Sequence, residues 1–264
     1  MGGTRIINRT AIRRATDLNQ PIATLTFARF CGIAFGIGTQ LLFLWTVVQL
    51  FLFLRYGGTQ SYKHGLFVDC LLSIGFALPH SLLLAPPVQK RMKSWIPNGL
   101  LGCVHCSVTC VTLLFLFQNW GVHSTVLWKA TGYAESAILF GFFGSWVGLF
   151  YSLYITGMGY QTGLTQWWYW MTRQRPPQRV FVKRGAYRWM RHPIYMSFLG
   201  LIWFTPTMTL DHAVLTGIWT AYIYAGSYAK DQRMLRFVGA EYREYAARVS
   251  GLPFIGFGPL LRIK

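Results

Sequence analysis

Arg184, Tyr187, Arg188, Arg191, His192 and Tyr195 fall within twelve residues that close on Pro193, Ile194 and Tyr195 and run straight into an apolar stretch. Proline has no N–H to donate and is accommodated at the first position of a helix, where that donor would lack an intrahelical partner anyway. Pro193 therefore predicts a helix start, with Arg191 and His192 on its threshold and the N–H groups of Ile194 and Tyr195 pointing outward. A helix start attracts anions, and three arginines beside it add charge, so these residues suit the capture of a carboxylate or phosphate. A basic juxtamembrane cluster that holds phospholipid headgroups fits the same composition.

Other groups capable of chemistry are sparse. His80 follows Pro79 inside an apolar run; it reads either as a packing histidine bonded to a freed carbonyl or as a site residue, since ionisable groups in spans are functional candidates by default. Asp231 follows the last apolar run, whereas Asp69 and Glu135 sit toward the opposite ends of theirs and read as packing or topology residues. Cys103, Cys106 and Cys110 share a helical face, but cysteine behaves there as a small apolar residue and no partner ligand is in view, so no metal site is expected. His105 lies on a neighbouring face and does not complete one. The run Trp167, Trp168, Tyr169 and Trp170 reads as an interfacial aromatic anchor.

The elements that must position these groups are set by hydrophobicity. Of 264 residues, 53% are hydrophobic and only 12% charged, too few for an ordinary soluble surface. Apolar runs at about 33–54, 65–84, 100–117, 134–155, 194–210 and 213–228 predict an all-α polytopic membrane bundle of about six spans, and Met234, Leu235, Val238, Tyr242, Tyr245, Ala246 and Val249 line one face of a C-terminal amphipathic helix over 230–249. Gly141, Gly144 and Gly148 would let a neighbouring helix approach the fourth span closely. Residues 1–29 form a basic arm and 30–264 a single membrane domain. The formal net charge of +18 lies between the apolar runs rather than along a soluble face, so it points to topology and anionic headgroups, not nucleic acid. With the N-terminus inside, all of the 25 Lys and Arg except Arg55, Lys63 and Lys129 fall on inner segments. Both termini and the basic loop are thus expected on the cytoplasmic face of a bacterial inner membrane or an organelle membrane. The fifth and sixth runs, separated only by Asp211 and His212, read as a hairpin whose legs match in length, which brings His192, Asp231 and His80 to one depth.

The pattern Arg184-Gly-Ala-Tyr187, Arg191-His192-Pro193-x-Tyr195, then a hairpin and an amphipathic helix, resembles the membrane methyltransferases that include isoprenylcysteine carboxyl methyltransferase and the phospholipid methyltransferases. Pro79-His80-Ser81, Gly163-Leu164-Thr165-Gln166, Thr205-Pro206-Thr207-Met208-Thr209 and Gly239-Ala-Glu-Tyr242-Arg-Glu-Tyr245 extend the likeness across residues 66 to 250. It is closest to the methanethiol S-methyltransferase branch with its nurim-like and NnrU-like members. The resemblance implies S-adenosyl-L-methionine as cofactor and a small thiol or lipid-like methyl acceptor. It also implies Arg191, His192 and the helix start at Pro193 around the cofactor's carboxylate, Tyr187 and Tyr195 packed about it, Asp231 at its ammonium, and His80 and Gln166 toward the acceptor.

The chain departs from that family where two adjacent glutamates are usual below the last span. Here stand Lys230 and Asp231, and Lys230 reverses one charge and would repel an ammonium or sulfonium. Two further readings therefore stay open: a non-catalytic nurim-like membrane protein, and a relative of the membrane sterol reductases, which the lack of a glycine-rich dinucleotide fingerprint after a strand places last.

Overall fold

A computed structural model describes residues 26–58, 65–177 and 180–253. Its helices are α1 (Phe27–Tyr56), α2 (Leu66–Leu84), α3 (Pro86–Met92), α4 (Leu101–Asn119), α5 (Tyr133–Thr156), α6 (Met158–Thr162), α7 (Leu164–Met171), α8 (Pro193–Trp203), α9 (Leu210–Phe237) and α10 (Ala240–Arg248), with a 3₁₀ turn at Gly185–Arg188. The helices α1, α2, α4 and α5 are long and apolar enough to cross a membrane. The protein is an all-α membrane bundle with one minor addition, the antiparallel pair β1 (Val126–Lys129) and β2 (Thr207–Thr209). The first 25 residues of the basic arm lie outside the described residues. Arg29 belongs to the first turn of α1 and donates to the Met171 carbonyl at 2.5 Å.

Helix α4 packs between α1 and α2, α9 packs on α2, and α8 packs on α5. The last contact uses two of the three small residues expected on α5, Gly141 and Gly148, while Gly144 faces open space. A Cβ added at Gly148 would lie 3.1 Å from Ser197 Oγ, one at Gly141 would lie 2.9 Å from the Phe204 ring, and one at Gly200 of α8 would lie 2.1 Å from Ser145 Oγ. Buried aromatics fill the space between the long helices, with Phe53 and Phe117 stacked at 4.6 Å and Trp120 edge-on to Phe53.

The fifth and sixth runs differ from the sequence expectation. Helix α8 ends at Trp203, so its eleven residues rise only ~16 Å, about half of a bilayer core of ~30 Å. The chain then continues extended through Pro206 into β2, and the turn falls before Asp211 and His212, which lie in the first turn of α9. An extended segment needs partners for its backbone polar groups. Strand β1 supplies them, and Ala130 N–H donates to the Pro206 carbonyl at 2.8 Å. The expected amphipathic helix over 230–249 is divided: α9 runs on to Phe237, and Gly239, at φ 71, breaks the path before α10. Glycine alone takes that backbone conformation without strain.

Two short helices, α6 and α7, follow α5, and α7 carries the aromatic run. Gly163 joins α6 to α7 at φ 79, and a Cβ there would lie 2.3 Å from the backbone of Gly102 and Cys103. Trp167 is 5% exposed, donates through Nε1 to the Gly32 carbonyl at 3.2 Å, and fills the notch left by Gly36. It wedges α7 against α1 rather than anchoring at the interface, while Trp168 stays exposed. Cys103, Cys106 and Cys110 are buried in α4, and the Cys103 thiol points to the Gly163 carbonyl at 3.7 Å.

Candidate functional site

The basic loop, the start of α8, the C-terminal end of α9 and α10 meet at one end of the bundle. Arg191 and His192 precede Pro193, and their backbone N–H groups donate to the carbonyls of Ser250 and Gly251, which ties the loop to the chain after α10. The Arg191 side chain is wholly buried. Its Nη2 lies 2.7 Å from Asp231 Oδ2, its Nε 3.4 Å from Oδ1, and its Nη1 donates to the carbonyls of Ala246 and Val249. Buried ion pairs survive only when the remaining donors and acceptors are also engaged, and here they are. Tyr242 of α10 donates its hydroxyl to Asp231 Oδ1, and the Tyr245 hydroxyl donates to the Tyr187 carbonyl at 2.5 Å. Arg191 and Asp231 thus clamp three chain segments together.

Asp231 lies beyond the apolar part of α9 and is 1% exposed. Burial alone would raise its pKa, but contacts from His192 and Arg191 and the Tyr242 hydroxyl outweigh it and hold the carboxyl at about 2. Burial raises the Tyr242 pKa, and the facing Asp231 carboxylate raises it further, so the phenol remains a donor. His192 is fully buried with its pKa pushed down by burial against the opposing pull of Asp231. The imidazole is therefore neutral at pH 7. Its Nε2 lies 3.0 Å from Asp231 Oδ1, within ion-pair range though off the axis of an aligned hydrogen bond. A proton on Nε2 faces that carboxylate favourably, which leaves Nδ1 as a bare acceptor, and Nδ1 has no partner among the described residues. The His192 ring stacks on Tyr195 at 5.4 Å, and Lys230 Nζ lies 5.2 Å from the centre of the other ring of that pair, Tyr195.

His80 and Gln166 belong to neighbouring positions rather than to this clamp. His80 Nδ1 lies 3.1 Å from Thr109 Oγ1 of α4, and its ring lies 4.9 Å from that of His105 and 6.4 Å from Tyr222 of α9. Ser81 Oγ is 2.9 Å from the Tyr222 hydroxyl. Gln166 packs against Gly102, one turn before His105, and donates to the Tyr160 carbonyl at 3.4 Å. Its Oε1 and the Nε2 of His105 are buried without partners among the described residues. Arg233 of α9 is close enough to act electrostatically on His80, His105 and Tyr195.

Sequence reasoning named Tyr187, Arg191, His192, Pro193, Tyr195, Asp231, His80 and Gln166, and missed His105, Thr109, Tyr222 and Tyr242. His105 and Thr109 were legible as an i, i+4 pair on one face of an apolar span. Tyr242 was visible in its motif, but its bond to Asp231 required the fold around Gly239.

Comparison with known proteins bears out the resemblance read from these motifs. The chain is 26% identical over 239 residues to methanethiol S-methyltransferase 1 of Bradyrhizobium diazoefficiens, which covers 85% of this chain and 82% of that relative. It is 27% identical over 187 residues to the methanethiol S-methyltransferase of Mycobacterium tuberculosis, 70% of this chain and 76% of the relative. Nurim of Danio rerio is 28% identical over 166 residues, 59% of this chain and 60% of the relative. No family profile and no solved structure matches.

Proposed function

We propose that this homologue of the methanethiol S-methyltransferases is an integral membrane methyltransferase that methylates a small thiol, with S-adenosyl-L-methionine as the methyl donor. The observation that carries the reading is likeness to enzymes of that name over 85% of the chain. Residues 30–264 act as one membrane domain. The four long helices, the α8–β2 segment and α9 make six crossings, with both termini and the site on the cytoplasmic side, where the basic segments also meet anionic headgroups.

The residues present fit the donor molecule. It carries an ammonium, a carboxylate and a nucleoside, and the site holds a buried acceptor without a partner among the described residues at His192 Nδ1. His192 Nδ1 would accept from the ammonium. The first-turn N–H groups of α8 after Pro193, with Lys230 beside Tyr195, would receive the carboxylate, which gives Lys230 an attractive role in place of a repulsive one. Tyr195 and Tyr187 would flank the molecule, and Arg191 and Asp231 would hold the loop that presents it. The bound donor supplies an electrophilic methyl group. The protein's part is to align the thiol with it and exclude water, which favours a transfer in which charge is dispersed. His80 and Gln166 stand on the acceptor side.

Thermal unfolding of the detergent-solubilised protein with S-adenosylhomocysteine tests the reading, because a ligand that binds only the folded state raises its stability. Wild type should be stabilised and His192→Ala should not; intact stabilisation of His192→Ala would remove His192 from the site. A non-catalytic, nurim-like role is favoured by one observation, the engagement of Asp231 by Arg191 and Tyr242. Membranes containing the protein that methylate ethanethiol above vector controls would exclude that role.

A further inference from the structure

We propose that His80 is the proton acceptor for the thiol and that Thr109 fixes which of its nitrogens does the work; this rests on the methyl-transfer reading above. A hydroxyl has one proton to give. Thr109 Oγ1 donates its proton to the His105 carbonyl at 2.8 Å, one turn back along α4. In its 3.1 Å contact with His80 Nδ1 the same oxygen can therefore only accept. The proton of neutral His80 is then on Nδ1, and Nε2 carries the lone pair. No described residue donates to that nitrogen.

A histidine retained for packing beside Pro79 would close its remaining acceptor on a nearby N–H or hydroxyl. His80 does not. Its ring is held by Phe76 at 5.7 Å, Tyr222 at 6.4 Å and His105 at 4.9 Å, and His105 itself leaves a buried Nε2 without a partner among the described residues. The charged and titratable groups around His80 are His105 from α4 and Tyr222 and Arg233 from α9. Tyr222 is tethered by Ser81, so the wall is fixed from two helices.

The thiolate, not the thiol, is the effective nucleophile, and ordinary thiols hold their proton at neutral pH. An imidazole with a free lone pair can accept that proton as it leaves the sulfur. In the proposed step the S–H bond breaks and its proton goes to His80 Nε2. The sulfur electron pair forms the new S–C bond to the methyl group as the donor's C–S bond breaks, its pair returning to the donor sulfur. The imidazolium then releases its proton to water. The Arg233 guanidinium favours the thiolate during this transfer.

The test combines methylation of ethanethiol with stabilisation by S-adenosylhomocysteine, so that chemistry and cofactor binding are read separately. His80→Gln and His80→Ala should lower methylation by ~10²- to 10⁴-fold, the usual range for a lost general base, while stabilisation stays at the wild-type level. The residual rate should climb with pH as the free thiol ionises. Thr109→Val should lower the rate ~10-fold or more and alter the pH profile by releasing the tautomer, whereas Thr109→Ser should behave as wild type. Wild-type methylation rates in both His80 variants would overturn the proposal, as would loss of stabilisation in His80→Gln, which would place His80 in packing or cofactor binding. Absence of both stabilisation and methylation in the wild-type protein would overturn the parent reading, and this proposal with it.

Discussion

The two ends of the bundle, outer and inner in the proposed topology, both bury carboxylates, and they use them differently. At the outer end, Asp211 in the first turn of α9 accepts from the Trp120 indole and the His123 N–H, each at 3.1 Å, and Asp69 accepts from Gly121 N–H at 3.0 Å. These N–H donors come from the single loop that follows α4 and meet the acids near helix starts, where negative charge is favoured. At the inner end, Asp231 takes a guanidinium and an imidazole from the loop before α8 and a phenol from α10. His192 beside it, and Gln166 and His105 in the neighbouring positions, keep polar atoms without hydrogen-bond partners among the described residues. A closed loop needs only to be pinned. A site must be held rigid by some groups so that others can keep capacity for a ligand, and that division of labour is what the inner end displays.

The largest expected effect breaks the inner clamp. Arg191→Ala strands Asp231 in a buried position, and Asp231→Ala strands Arg191; each should cost about 3–5 kcal/mol, the range for removing one partner of a buried pair. Thermal unfolding in detergent measures it. The pH dependence carries a definite sign. The folded-state pKa of Asp231 is about 2, below its ordinary 3.8, so its stabilisation is fully present above pH ~4 and is lost as pH falls through 2. Wild type should lose stability across that window and Asp231→Ala should lack that component.

The contrast between the ends also explains what could be read from the sequence. Hydrophobic length alone located α1, α2, α4 and α5, because a span is set by the number of consecutive apolar residues. The inner site was partly legible because its loop announces itself: Pro193 marks a helix start, and Arg191 and His192 sit beside it. The partner choice of Arg191 was not legible. Whether a guanidinium meets a ligand or Asp231 depends on where α9 ends and how Gly239 turns α10 back, and both are tertiary facts. The short α8 was missed for a related reason. Residues 204–210 are apolar enough to continue a helix, but Pro206 cannot supply a helical hydrogen bond, and β1 offers the extended chain another partner.

Asp211→Ala is the matching cut at the outer end and should cost about 2–3 kcal/mol, since it leaves the Trp120 and His123 donors without their acceptor. It sharpens the comparison because stabilisation by S-adenosylhomocysteine should persist in this variant. A loss of that stabilisation would mean that the two ends are coupled through α9, which runs from Asp211 to Asp231, and that the outer loop is not merely pinned.

The smallest change bears on the role of Asp231 at the inner end. Tyr242→Phe removes one hydroxyl donor from Oδ1 while leaving the Arg191 pair in place, so the cost should be about 1.5 kcal/mol, near that of one hydrogen bond to a charged group. With one donor fewer, the folded-state pKa of Asp231 rises toward its ordinary value, and the acid loss of stability should begin at a higher pH than in wild type. The same variant leaves Oδ1 with spare accepting capacity beside His192. Unchanged affinity for S-adenosylhomocysteine is expected if Asp231 only holds the loop. Tighter binding in Tyr242→Phe would show instead that the carboxylate reaches the cofactor's ammonium once Tyr242 releases it, and would turn the clamp itself into part of the site.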